Sequence, residues 1–263
     1  MSPGCLSVRA RLNDSLTLVL IHGLGESGFC FEGLISDPRL ASFGHLAADM
    51  PGYGKAPWPE DPLGLPDHAQ CLADWLNTEE SLADRDLVLV GHSMGGVIGT
   101  MLAEQLLQSG DQRLRGFVSI EGNISRADCG FSSRLAPYAA DSPEAAQAMA
   151  KMIDEVYRDG QTDPALRVYY PSLCFADPRT YHRNSVELVE LSEAEGLAAR
   201  MAALDIPKTY ILGNPRGTGQ RSRELLDEAG IEWHAIDNAG HWPFLDQPKP
   251  FVDVLLGFLR SLS

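Results

Sequence analysis

DLVLVGHSMGGVIG, residues 86–99, decides how this chain is read. Leu87, Val88, Leu89 and Val90 form an apolar run of strand length, and Gly96, Val97, Ile98, Met101, Leu102 and Leu106 follow at helical spacing. Between them stands Gly91-His92-Ser93-Met94-Gly95, the pattern G-x-S-x-G. A serine hydroxyl is a weak nucleophile until it is held clear of the backbone and next to a base; a sharp strand-to-helix turn supplies the first condition. Glycines at 91 and 95 make that turn sterically possible, because side chains there would strike neighbouring backbone. Ser93 is therefore the candidate nucleophile. The plain alternative is an ordinary Gly-Ser turn.

Upstream, residues 16–21 (LTLVLI) read as a buried strand that ends in His22-Gly23-Leu24-Gly25, and residues 5–12 as an edge strand. Residues 45–50 read as a strand closed by Pro51-Gly52-Tyr53-Gly54, and residues 67–76 have helical spacing at Leu72, Trp75 and Leu76. Downstream, residues 116–121 (GFVSIE), 208–212 and 232–236 are the remaining strands. Strands alternating with helix-length segments predict an α/β fold with a mainly parallel central sheet and helices on both faces. Residues 122–207 are too many for one crossover helix; helices are expected at 142–157, which opens on Ser142-Pro143-Glu144, and at 185–204. Phe131, Tyr138, Tyr157, Tyr169, Tyr170, Phe175 and Tyr181 give this segment an aromatic stock, most of it expected to pack helix on helix.

With 263 residues, 44% of them hydrophobic, the chain can build one domain with a large core and an insertion. A formal charge of -15 would repel nucleic-acid phosphates and anionic lipid, so neither is an expected partner. The cysteines at 5, 30, 71, 129 and 174 are odd in number and lack C-x-x-C spacing, which argues for free, buried thiols rather than disulfides or a zinc site. Neither a signal peptide nor a bilayer-spanning apolar run is evident, and the expected location is cytoplasmic.

Together with HGLG at 22–25 and Asn238-Ala239-Gly240-His241-Trp242, the elbow makes the sequence resemble the α/β-hydrolase family over nearly its whole length. The resemblance implies a hydrolase core of residues 1–122 and 205–263, with residues 123–204 as a helical lid, placed in the family's count between strands six and seven. It implies an oxyanion hole from the backbone N–H groups of Leu24 and Met94, since acyl transfer must place a negative charge on prearranged donors. It also implies that His241, on the loop after the last strand, is general base and then general acid. His22 and His92 are expected to structure their turns.

The acid departs from the family's commonest arrangement, an aspartate just after the strand at residues 208–213, where this chain has Asn214-Pro215-Arg216-Gly217-Thr218. Some relatives carry it instead at the end of the preceding strand, where Glu121 stands. An ionised carboxylate directly after Phe117, Val118 and Ile120 needs a partner in any case. The alternative is that Glu121 anchors the lid by pairing with an arginine such as Arg216, while Asp128, Asn214 or Asp237 assists His241. The implied function is hydrolysis of a carboxylic ester or related acyl bond of a small molecule through an acyl-enzyme, with no metal or organic cofactor. Serine at 93 argues against haloalkane dehalogenase and epoxide hydrolase chemistry, which needs a carboxylate there. Lactones, thioesters and C–C bonds remain open, as do a ligand receptor with little turnover and a cofactor-free oxygenase or lyase. Oligomeric state is not legible.

Overall fold

Residues 87–92 form a strand in which every side chain is buried, as a run without polar alternation requires when both faces of a sheet are covered. The structure, a computed structural model, describes residues 5–13 and 16–262. Its strands are β1 (Ser7–Arg11), β2 (Thr17–Ile21), β3 (Gly44–Asp49), β4 (Leu87–His92), β5 (Leu114–Ile120), β6 (Lys208–Arg216) and β7 (Trp233–Gly240). They form a seven-stranded sheet in the order β1-β3-β2-β4-β5-β6-β7, with β1 antiparallel to β3 and all other pairs parallel. The chain thus has the mainly parallel α/β architecture that the alternation of strands and helices predicts. Full burial of a Val or Leu side chain stabilises by roughly 1.5–3 kcal/mol, so a charge at Val88 or Val90 would break the sheet at its centre.

The helices are α1 (Glu32–Ile35), α2 (Leu65–Thr78), α3 (Met94–Gln108), α4 (Pro143–Asp159), α5 (Pro164–Phe175), α6 (Pro178–Glu193), α7 (Leu197–Ala202), α8 (Gln220–Glu228), α9 (Pro243–Asp246) and α10 (Pro248–Ser261). α3 packs on β4 and β5 and against α2, while α1, α9 and α10 form a separate group that reaches β7. None of the described helices is long and apolar enough to cross a membrane.

Between β5 and β6 the chain runs through α4 to α7. The Ser142 hydroxyl accepts from the Ala145 N–H and Pro143 opens the helix, satisfying one of the free donors of the first turn. Asp163-Pro164 and Asp177-Pro178 start α5 and α6 in the same way. The helix expected at 185–204 is two: α6 begins earlier and ends at Glu193, and α7 starts after Glu195, whose φ of 51° breaks the helical path. α5 is not anticipated by the sequence reading, because Pro171 lies inside it and its aromatic residues blur the apolar period. Among the described residues no cysteine is in a disulfide; Cys30, Cys71 and Cys129 are buried, but Cys5 is only half-buried and Cys174, near the end of α5, is exposed, contrary to the expectation of buried thiols.

Candidate active site

At the carboxyl end of β4 the backbone turns into α3 through Ser93, with φ 54° and ψ -122°. A side chain rarely adopts this conformation, so the turn holds strain that the surrounding packing must support. Gly91 and Gly95 are what permit it: a Cβ on Gly91 would lie 2.1 Å from the Gly95 carbonyl oxygen, and one on Gly95 2.1 Å from that of Ile21. Met94 is the first residue of α3, so its N–H belongs to the first turn, where no intrahelical acceptor exists. Leu24 sits in the turn after β2, next to Gly25 with φ 72°.

His241 immediately follows β7, at the same end of the parallel sheet. Its Nδ1 lies 3.3 Å from Oε2 of Glu121, which is 3% exposed and stands directly after β5. The other Glu121 oxygen, Oε1, accepts from the N–H groups of Gly213 (2.6 Å) and Thr218 (3.0 Å). Glu121 itself has φ 49°. The partners of its carboxylate are thus His241 and two backbone amides, and no contact with Arg216 is among them. Asp237 is exposed and accepts from the Asn214 side chain at 2.8 Å. Asp128 accepts at Oδ2 from Ile124 N, Ser125 N and Ser222 Oγ, and burial raises its pKa above the ordinary aspartate value.

A second buried carboxylate joins these loops. Glu26 is 2% exposed and accepts at Oε2 from the Gly23 N–H (2.6 Å) and faces His92 Nδ1 (2.8 Å), while Oε1 accepts from Trp242 Nε1 (2.5 Å). His92 Nε2 donates to the His241 carbonyl at 2.8 Å. Burial opposes charge on both side chains, but the charge and hydrogen bonds of each partner outweigh it: the Glu26 pKa falls and that of His92 rises. His22 fulfils its structural expectation, with Nδ1 donating to the Gly23 carbonyl and Nε2 accepting from the Met50 N–H.

Gly23, Leu24, Glu26, His92, Ser93, Asn123, Asp128, Phe131, Ser132, Tyr169, Leu188, His241 and Trp242 line one cleft, whose cavity of about 20 Å³ has room for one or two waters. Ser93, His241 and Leu24 therefore line one cleft, although no hydrogen bond joins Ser93 to His241 among the described residues; Glu121 and Met94 are not part of the lining, and Glu121 reaches it through His241. Of the aromatic stock between β5 and β6, Phe131 and Tyr169 reach the cleft. Phe175 does not: it is 67% exposed. The Ser132 hydroxyl is buried without a protein partner. Sequence reasoning missed Glu26, although a lone acid within LTLVLIHGLGESGFCF, residues 16–31, is a signal that a buried charge has a partner to find.

A sequence model of the alpha/beta hydrolase family matches residues 18–254. This chain belongs to the alpha/beta hydrolase family. The abhydrolase domain-containing protein abhd-5.2 of Caenorhabditis elegans is 26% identical over 98% of this chain, which spans only 62% of that relative. Among solved structures, a mutant of the N-acyl homoserine lactonase AidH complexed with N-hexanoyl homoserine has a TM-score of 0.76 at 20% identity, covering 100% of this chain and 95% of that one. A structure from work on the carboxylesterases of the archaeon Nitrososphaera gargenis gives 0.77 at 20% identity, covering 99% and 97%. At such identities the likeness to alpha/beta hydrolases of known structure is one of fold.

Proposed function

We propose that this alpha/beta hydrolase cleaves a carboxylic ester or related acyl bond through Ser93, His241 and Glu121. The observation that carries the reading is the strained Ser93 turn opening on the same cleft as His241, whose Nδ1 faces Glu121 at 3.3 Å. A carboxylate accepts, so Nδ1 carries the proton and Nε2 keeps its lone pair. Nε2 takes the Ser93 proton as Oγ attacks the acyl carbon; the resulting oxyanion is met by the Met94 and Leu24 N–H groups, and Glu121 stabilises the imidazolium. His241 then protonates the leaving alcohol. Water, deprotonated by the same nitrogen, releases the acid from the acyl-serine. Esterase and lactonase relatives on the same fold agree with this chemistry, in which both substrates present a carbonyl and an oxygen leaving group.

Residues 123–204 act as the lid in this reading, supplying Phe131, Tyr169 and Leu188 to the cleft. A cavity of about 20 Å³ is far below the several hundred Å³ of ordinary ligand sites, so substrate enters by displacement of this cover. The test is rapid labelling of Ser93 by a fluorophosphonate together with turnover of short aryl esters, thioesters and lactones, in the wild type and in Ser93→Ala. Loss of both labelling and turnover in a folded Ser93→Ala protein is the expected result. Turnover that survives the substitution would instead indicate proton abstraction without an acyl-serine.

A further inference from the structure

Glu26 has no part in the steps above, yet it is the point at which three separate pieces of the cleft are joined. We propose that Glu26 and His92 are positioning residues: their buried pair fixes the oxyanion turn, the nucleophile elbow and the His241 loop in one register. This rests on the serine-hydrolase reading for its kinetic consequence, though not for its geometry.

Four contacts define the device. From Glu26, one reaches the Gly23 N–H in the turn that carries Leu24, one reaches His92 beside Ser93, and one reaches Trp242 beside His241. The fourth runs from His92 Nε2 to the carbonyl of His241 itself. That carbonyl can only accept, so His92 Nε2 bears a proton. The Glu26 oxygens already accept two N–H groups and His92 Nδ1, 2.8 Å away, brings a third; with Nε2 also protonated, the contact is an imidazolium–carboxylate pair, in keeping with a lowered Glu26 pKa and a raised His92 pKa. Taking two charges out of water is costly and contributes little to stability in return. Here every charged atom is matched, and the bonds end on the backbone of two segments whose relative placement the chemistry needs. Because His92 Nε2 is bonded to the His241 carbonyl at 2.8 Å, with the two rings 4.9 Å apart between centroids, a shift of His92 carries the His241 backbone with it. His241 would then lose its placement against Glu121 in the cleft it shares with Ser93. Residues outside the reacting groups earn their effect in this way, since misplacement by about 1 Å can cost about 100-fold in rate.

The experiment compares wild type with Glu26→Gln, which keeps the shape but removes the charge and one acceptor, and with Trp242→Phe, which removes a single donor and keeps a ring. Sites are counted by fluorophosphonate titration. Per titrated site, kcat is expected to fall about 10- to 100-fold in Glu26→Gln and less in Trp242→Phe, with KM for a short aryl ester nearly unchanged. Affinity for a trifluoromethyl ketone, which forms a tetrahedral oxyanion adduct, should fall by the same factor as kcat/KM. Binding of the product acid should not move. Independently of turnover, ring NMR of the wild type should show both His92 N–H protons, and the His241 ring signals should shift in Glu26→Gln. If Glu26→Gln does not fold, Trp242→Phe decides by the same readings. Folded variants with wild-type kcat per site and unmoved His241 signals overturn the proposal and leave Glu26 as packing. A wild-type protein that the fluorophosphonate does not label overturns the serine reading, and the NMR arm still decides the hold on His241.

Discussion

The Tyr169 hydroxyl donates to the carbonyl of Leu24 at 3.0 Å, tying α5 to the turn that follows β2. Burial raises the Tyr169 pKa well above the ordinary phenol value, so the hydroxyl remains a donor, and its ring lies 5.4 Å from Trp242 and 5.1 Å from Phe131. Tyr169→Phe retains the ring and removes the bond, leaving a buried carbonyl one donor short. Stability in urea is expected to fall by about 1 kcal/mol. Preference among acyl chain lengths should shift as well, because the same residue covers the cleft. A variant with wild-type stability and an unchanged chain-length profile would show that this contact neither braces nor shapes the site.

Ser93 stands where glycine would be at ease. Its φ of 54° and ψ of -122° belong to a region that costs a residue with Cβ about 1–3 kcal/mol. Ser93→Gly should therefore unfold at a higher urea concentration than Ser93→Ala by roughly 1 kcal/mol, even after the entropy that glycine adds to the unfolded chain. Both should lack turnover. Equal denaturation midpoints would mean that the elbow stores no strain.

Exchanging a carboxylate for its amide separates two of the candidate acids, Glu121 and Asp237. Glu121→Gln is expected to lower turnover by orders of magnitude while the protein stays folded, because Gln can no longer stabilise an imidazolium on His241. Asp237→Asn should change little, since Asp237 is exposed and bonded to Asn214. Steady-state kinetics on the two proteins, with circular dichroism for folding, ranks them; the opposite ranking would remove Glu121 from the mechanism.

Acid stability should depend on a histidine far from the chemistry. His68 is wholly buried, with Nε2 against Asn184 Oδ1 at 3.1 Å and Nδ1 unpaired, and burial lowers its pKa from 6.5 to about 4. Between those values the unfolded chain holds a proton that the folded chain refuses, so stability rises with pH there; the contribution is complete above 6.5 and gone below 4. Its full size is about 3 kcal/mol. His22 and His45, also lowered by burial, act with the same sign. His92 does not oppose them in this window: its pKa is raised, so its stabilising contribution is fully present below 6.5 and is lost only at higher pH. Urea titrations from pH 7 to 4.5 should show a steady loss that His68→Gln makes shallower. An identical slope in the two proteins would place the acid sensitivity elsewhere.

What the sequence disclosed was whatever depends on local pattern. The LVLV run and its glycines announce strand, turn and helix because each imposes its own period or steric demand on neighbouring residues. That Glu121 would be buried with a partner was legible for a related reason, as a charge at the end of an apolar strand. Glu26 was not, since its partners Gly23, His92 and Trp242 come from three separate stretches and nothing in a linear reading joins residue 26 to residue 242. α5 stayed hidden because Pro171 and a crowd of aromatic residues mask its period. The break at Glu195 depends on a single backbone angle, which the composition around it does not reveal.

β5 and β6 are neighbours in the sheet, with Phe117 opposite Lys208 and Ile120 opposite Ile211. The long helical segment between them therefore leaves and re-enters the sheet one strand apart, a sideways step of about 5 Å. For an engineer, the proposed lid, residues 123–204, would be the segment to exchange. A foreign segment spliced at the same two points would leave the β5–β6 ladder in place but would have to replace the bonds this one makes to its surroundings, such as Tyr169 to Leu24 and Asn184 to Tyr53; under the proposed function, such an exchange would recombine selectivity as a whole segment.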